Sequence, residues 1–266
     1  MLARDLISAF NQTENYCFDR LSLDITDSQS VTAALFQIRP DFVINCAAFT
    51  QVDACEKSSA CYLVNALGVH NLVRACKKVK AKLVHISSDY VFSGMKVNGF
   101  YKEDDGREPI NHYGRSKLLG ELALESSSED WLMVRVQWLF GVHGINFVNK
   151  IRMLAETKSQ LKVVADQFGR PTNTVFLAQA VKQLVMNGAK GTYNLGSTGH
   201  CSWYDLAAEI VRLTKKDVVV TPCSSEEYPM LAPRPKNAVL DVTKALLSNV
   251  SLHPWQDHVG LYLHNA

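Results

Sequence analysis

The sequence has little that would tie it to a membrane, a metal or a nucleic acid. No apolar run reaches the roughly 18 residues needed to span a bilayer. Met1 is not followed by the basic stretch and apolar core of a signal peptide. The 7 cysteines are odd in number, dispersed, and without a Cys-x-x-Cys pair, which argues against a disulfide framework and for a reducing compartment, the cytoplasm. Cys46 and Cys76 lie in apolar surroundings and read as small core residues, while Cys55 and Cys61 lack partners at metal-ligand spacing. The 8 histidines do not cluster either, so no metal site is expected. With 28 basic and 26 acidic residues the formal net charge is +2, and there is no basic stripe. The Lys77–Lys82 patch reads as a solvated helix end of favourable dipole sign, so neither nucleic acid nor membrane is an expected partner.

Also lacking is the glycine-rich loop that should open a dinucleotide-binding fold, where an apolar strand runs into closely spaced glycines and a helix N-terminus takes the pyrophosphate. Here Leu2-Ala3-Arg4-Asp5-Leu6-Ile7 already reads as that helix, with Ala3 where the third glycine would stand. About a dozen residues of strand and turn would be expected before it. A mis-set start or a fragment accounts for this most simply, and the lost central strand would leave two backbone ladders unpaired.

What is present alternates between strands and helices. Tyr16-Cys17-Phe18 reads as a short strand ending on Asp19-Arg20, and Asp27 as the N-cap of a helix running to Gln37 before Pro40. Asp41–Ala47 is a continuous apolar run, as in a parallel strand covered on both faces. A long helix over Ser58–Lys78, a strand at Leu83–Ile86, a helix over Tyr113–Leu124 and a strand at Trp131–Val136 follow. Beyond Phe140 come a helix near Phe147–Glu156, a strand at Leu161–Val164, helices over Val175–Met186 and from Ser202 to near Lys215, and a turn at Pro233-Arg234-Pro235 before a terminal helix. The pattern predicts an α/β fold, a doubly wound parallel sheet with a smaller, interleaved C-terminal lobe. We assign residues 1–140 to a dinucleotide-binding domain and 141–266 mainly to a substrate-binding lobe, with 191–196 returning to the main sheet.

The chemistry is concentrated at two places. Ser87-Ser88 closes an apolar strand, at the edge where open α/β sheets bind ligands. Tyr113 and Lys117 are spaced to share one helix face. The lysine ammonium is expected to lower the phenol's proton affinity, and a strand-end hydroxyl beside such a tyrosine suits a carbonyl oxygen. Either serine could instead cap a turn. Asp19, at the end of the second strand, is placed to reach an adenosine ribose, with Arg20 beside it for a 2′-phosphate. For Asp24 and Asp27, turn and cap chemistry is an equal or better account.

The motifs Asn45–Thr50, His85–Phe92 and Asn111–Lys117, with Asp166–Thr172, Cys201–Tyr204 and Ala232–Asn237 following in order, resemble the dTDP-4-dehydrorhamnose reductases, a family of extended short-chain dehydrogenase/reductases. The resemblance implies NADPH- or NADH-dependent reduction of the C4 ketone of dTDP-4-dehydro-L-rhamnose. It further implies Tyr113 as proton donor, Lys117 as its partner and nicotinamide-ribose contact, and Ser88, where the family commonly has threonine, as ligand of the substrate oxygen. Asp24-Ile25 matches the adenine side of the cofactor site and Ala47-Ala48-Phe49 its lining. Asp89 and Trp138 match contacts to the dTDP-sugar substrate, although Gln137 stands where the family usually has serine. A homodimer is compatible with the resemblance. Two other readings follow from the absent glycine loop and the shared scaffold: a non-catalytic sugar-nucleotide-binding or regulatory subunit, and a different nucleotide-sugar reductase or epimerase.

Overall fold

The computed structural model describes residues 1–127 and 130–265. Its principal elements are α1 (Leu2–Ala9), α2 (Ser28–Ile38), β1 (Phe42–Asn45), α3 (Val69–Val79), β2 (Lys82–Ser88), α4 (His112–Glu125), β3 (Trp131–Val136), α5 (Phe147–Thr157), β4 (Gln160–Val164), α6 (Thr174–Met186), β5 (Gly191–Asn194), α7 (Trp203–Thr214), β6 (Val219–Cys223) and α8 (Trp255–Asn265). A four-stranded, all-parallel sheet in the order β1-β2-β3-β5 forms the centre. β5, at residues 191–194, thus pairs with β3 although the chain between them builds other elements.

The two-residue period of a strand sends successive side chains to opposite faces, and both faces are apolar. Val84, Leu132 and Val134 pack with Leu2, Leu6, Leu177, Val181 and Leu184 of α1 and α6. Leu83 and Met133 pack on the other side with Val31, Leu35, Leu72 and Cys76 of α2 and α3. A separate apolar cluster joins α5, β4, α7 and α8 through Val148, Leu161, Ala207, Ile210 and Val259. There β6 and β4 form a two-stranded parallel sheet.

Local chemistry sets the boundaries. Asp27 caps α2 by accepting from the amides of Gln29 and Ser30, and Ser202 with Asp205 forms a reciprocal capping box on α7. Lys82 Nζ ties β2 to the Ala189 carbonyl at 2.6 Å.

One expectation is corrected. Tyr16-Cys17-Phe18 is not a strand: Tyr16 and Phe18 are exposed, and no described strand lies beside the segment to complete a ladder. The long helix expected over Ser58–Lys78 is present from Ala60 to Val79, with a π-helical segment, Leu63–Gly68, inside it ahead of α3. That wider turn accommodates the fully buried Asn65.

α4 rests directly on this segment. A Cβ on Gly120 would fall 2.3 Å from the Asn65 carbonyl oxygen, so the helix can sit this close only with glycine there. Gly120→Ala should cost about 1–3 kcal/mol through overpacking, outweighing the ~1 kcal/mol that alanine gains in a helix interior. Urea unfolding should show a lower midpoint with an unchanged slope. An unchanged or raised midpoint would contradict the close packing.

Candidate active site

β2 ends beside β3 with two serines facing opposite ways. Ser87 donates to Glu121 of α4 at 2.5 Å. Ser88 donates to Asp89 Oδ1 at 2.9 Å and accepts from the Tyr90 amide at 3.2 Å, so it also caps the single 3₁₀ turn Asp89–Val91.

α4 is brought to this edge from its first residue. The Asn111 side chain accepts from the Gly114 amide at 2.8 Å and donates to the Pro233 carbonyl at 2.8 Å, so one side chain caps the helix and anchors a loop from the C-terminal half. A Cβ at position 114 would lie 2.1 Å from the Tyr90 carbonyl oxygen; glycine there lets the first turn touch the backbone that leaves β2. Tyr113 is thereby seated against Ser88, its ring edge-on to Tyr90 with centroids 5.3 Å apart. One turn on, Lys117 is buried and its Nζ donates to the Ile86 carbonyl at 2.7 Å.

Burial dominates the electrostatics. It pushes the Tyr113 phenol above its ordinary value, opposed by a hydrogen bond with Ser88 and reinforced by Asp89 and Cys55. The expectation that Lys117 lowers this phenol's proton affinity is therefore corrected: desolvation outweighs every neighbour, and the ammonium is directed at a backbone carbonyl. Burial lowers Lys117 to about 8, with Glu121 opposing. It raises the Asp89 carboxyl to about 7 against hydrogen bonds from Ser88 and Gln137.

The backbone after β1 is pinned. Asn45 Oδ1 accepts from the Ala47 amide at 3.0 Å. Asn65 accepts from the Phe49 amide at 2.8 Å, and donates to the Phe49 carbonyl at 3.0 Å and to Ser116 Oγ at 2.9 Å. Ala47, Ala48 and Phe49 form a fixed rim beside the Tyr113–Lys117 face, with two small side chains that permit close approach by a ligand. Asn65 is the residue that sequence reasoning missed, and an asparagine inside the apolar run Leu63–Leu67 was the available signal.

The adenine-side candidates are placed differently. Asp19 is exposed, and its Oδ1 accepts from the Leu21 amide and from the amide and hydroxyl of Ser22. It closes a turn and does not end a strand. Asp24 accepts from the amide and hydroxyl of Thr26 at 2.9 and 2.8 Å. Ile25 is buried in the α2–α3 cluster, packed on Gly68.

Of the residues expected to face a substrate, Asp89 is 3% exposed, and its oxygens accept from Ser88 and, at 3.4 Å, from Gln137 Nε2. Gln137 also donates to the Ala238 carbonyl and accepts from the Leu240 amide, so glutamine at this position joins Asp89 to the C-terminal loop. Trp138, with a left-handed φ of 48°, stacks on Trp203 at a centroid distance of 3.4 Å. Arg234 of the same loop pairs with Asp53 at 2.8 Å, a contact that sequence separation hides.

Comparison with known proteins agrees with this geometry. The family described as "RmlD substrate binding domain" matches residues 1–266. The chain is 38% identical to the spore coat polysaccharide biosynthesis protein SpsK of Bacillus subtilis, covering 91% of this chain and 85% of that one. It is 39% identical to the dTDP-4-dehydrorhamnose reductase of Mycolicibacterium smegmatis, covering 88% and 72%. Among solved structures, a dTDP-4-dehydrorhamnose reductase from Clostridium acetobutylicum superposes with a TM-score of 0.96 at 38% identity, over 99% of this chain and 95% of that one. The Bacillus anthracis reductase, solved in complex with NADP, superposes with a TM-score of 0.92 at 35% identity, over 98% and 95%.

Asp89 offers a test of how dry the site is. Its folded value lies above the unfolded one, so the native state holds its proton more tightly and its burial costs nothing at low pH. That cost appears as pH rises from about 4, the ordinary carboxylate value, and is complete above about 7. The stability of Asp89→Asn relative to the parent should therefore improve between pH 4 and pH 8 in urea unfolding. A difference independent of pH would refute the buried, raised carboxyl.

Proposed function

The chain belongs to the dTDP-4-dehydrorhamnose reductase family, and from that membership we propose that it reduces the C4 ketone of dTDP-4-dehydro-L-rhamnose to dTDP-L-rhamnose with NADPH or NADH. The observation that carries this reading is the convergence of the Ser88 hydroxyl, the Tyr113 phenol and the Lys117 ammonium at the carboxyl edge of a parallel sheet.

The residues present suit the nicotinamide-ribose end of such a cofactor. Lys117 spends one donor on Ile86 and keeps its others for ribose hydroxyls, and the fixed Ala47–Phe49 rim has small side chains beside it. When bound, the nicotinamide supplies the hydride. All else falls to the protein. Ser88 donates to the ketone oxygen and orients it. Tyr113, its phenol held well protonated by burial, is the acid that delivers a proton to that oxygen. A phenolate left in so dry a place would be costly. Trp138, stacked on Trp203, and Gln137, tied to Asp89, shape the sugar-nucleotide side. The 7 cysteines are all free, which supports a reducing, cytoplasmic setting. No helix among the described residues is long and apolar enough to cross a membrane.

Positioned acid catalysis typically contributes 10² to 10⁴-fold. Tyr113→Phe should accordingly lower kcat by about 10² to 10⁴-fold while leaving thermal unfolding and NADPH affinity close to those of the parent. Substrate-dependent NADPH consumption at the parent rate would remove Tyr113 from the role. Tight, cofactor-independent binding of dTDP-rhamnose by a parent protein that consumes no NADPH would favour the non-catalytic sugar-nucleotide-binding reading instead.

A further inference from the structure

We infer that Glu121 is a positioning residue of this site: one turn beyond Lys117 on the same face of α4, its carboxylate supplies the negative charge that keeps Lys117 an ammonium and fastens the end of β2 to the helix. The inference rests on the reductase reading of Tyr113 and Lys117.

Tyr113, Lys117 and Glu121 recur every four residues and share one helix face. Lys117 is 1% exposed and Glu121 fully buried. The Glu121 carboxylate accepts from Ser87 Oγ at 2.5 Å, from Arg135 Nε and Nη2 at 2.9 Å each, and from Arg107 Nη1 at 2.9 Å. Arg107 is shared with Glu125, at 2.7 and 2.9 Å. Glu121 is thereby held in place from β2, from β3 and from the loop before α4.

The groups facing Lys117 from the packed elements make Glu121 the decisive one. Cys46, after β1, has its thiol pushed up to about 12 by burial and is neutral. His85 of β2 is buried, with its Nδ1 3.1 Å from Asn45 Nδ2, and burial and Lys117 both hold it neutral. Tyr113, on the same helix, is neutral for the reasons given above. Among the described residues, only Glu121 presents a negative charge to this ammonium at neutral pH, and it opposes the desolvation that otherwise favours the neutral amine.

The sign is definite. A lysine whose folded value is depressed loses its proton as pH rises through that value, so removing Glu121 moves the loss to lower pH. Glu121→Gln and Glu121→Asp in the full chain test this. Lys117 is followed by carbon-13 NMR of its Cε, identified by its disappearance in Lys117→Arg, and kcat/KM for NADPH-dependent ketone reduction is measured against pH. In Glu121→Gln the Lys117 titration and the alkaline limb of kcat/KM should both move acidward by about one unit or more, a roughly tenfold loss of ammonium above both midpoints. Glu121→Asp, which keeps the charge, should stay near the parent. An unmoved Lys117 titration in Glu121→Gln would overturn the inference, because a purely structural role lowers kcat without shifting that midpoint. If Arg135, stranded without its partner, prevents Glu121→Gln from folding, Glu121→Gln/Arg135→Gln removes both charges and is read by the same two outcomes. The NMR titration needs neither cofactor nor substrate, so a parent protein without reductase activity would sink the functional reading and leave the coupling to be decided by NMR.

Discussion

A glutamate and an arginine without access to water set the register between helix and sheet on which the rest depends. Glu121 and Arg135 are 0% and 1% exposed and face each other through two hydrogen bonds of 2.9 Å. Taking such a pair out of water gives little or no net stability, but stranding one member costs about 3–5 kcal/mol. Any slip of α4 along β2 and β3 would do that. Arg135 also donates to the Glu103 carbonyl at 2.9 Å and lies 5.0 Å from the Phe92 ring centre. Glu103 in turn accepts from the Asn194 amide of β5. One charge pair thus coordinates three strands, a helix and a loop, and Tyr113 and Lys117 inherit their positions from it.

Burial also explains why the ionisable groups of the site behave as one set. Desolvation favours the neutral form of each, raising Asp89 and Tyr113 and lowering Lys117. The protein leaves a phenol able to give a proton and an amine that must be helped to stay charged. The Ser88 hydroxyl donates to Asp89 and lies beside Tyr113, and it opposes the burial shift of both. It stands at the last residue of β2, where the backbone is held by the ladder to Val136 of β3.

Much of this was legible in the sequence. Apolar runs gave the strands β1, β2 and β3, since a parallel strand buried on both faces reads as a continuous hydrophobic segment. Asp27 and Ser202 announced their helices by capping chemistry. The Ser88, Tyr113 and Lys117 set could be read because it combines a helical spacing with a strand end. What stayed hidden depended on long-range contacts or on desolvation. Asn65 reaches Phe49 across 16 residues and Ser116 across 51, and nothing in local spacing marks either partner. Tyr16-Cys17-Phe18 has strand-like residues without a neighbour to pair with. Spacing alone predicted a lysine that lowers the phenol, because it carries no information on how dry the site is.

The C-terminal loop shows how the second half of the chain reaches the candidate site. Asn111 holds the first turn of α4 with one end of its amide and the Pro233 carbonyl with the other. A helix N-cap is typically worth about 1 kcal/mol, so a loop that moves off Asn111 loosens the turn that carries Tyr113. Gln137 makes a parallel link, between Asp89 and the backbone at Ala238 and Leu240. Arg234 makes a third, to Asp53. These links converge on the loop at residues 232–240 from three sides of the site. Any rearrangement of this loop would be felt at the turn that carries Tyr113 through hydrogen bonds already in place.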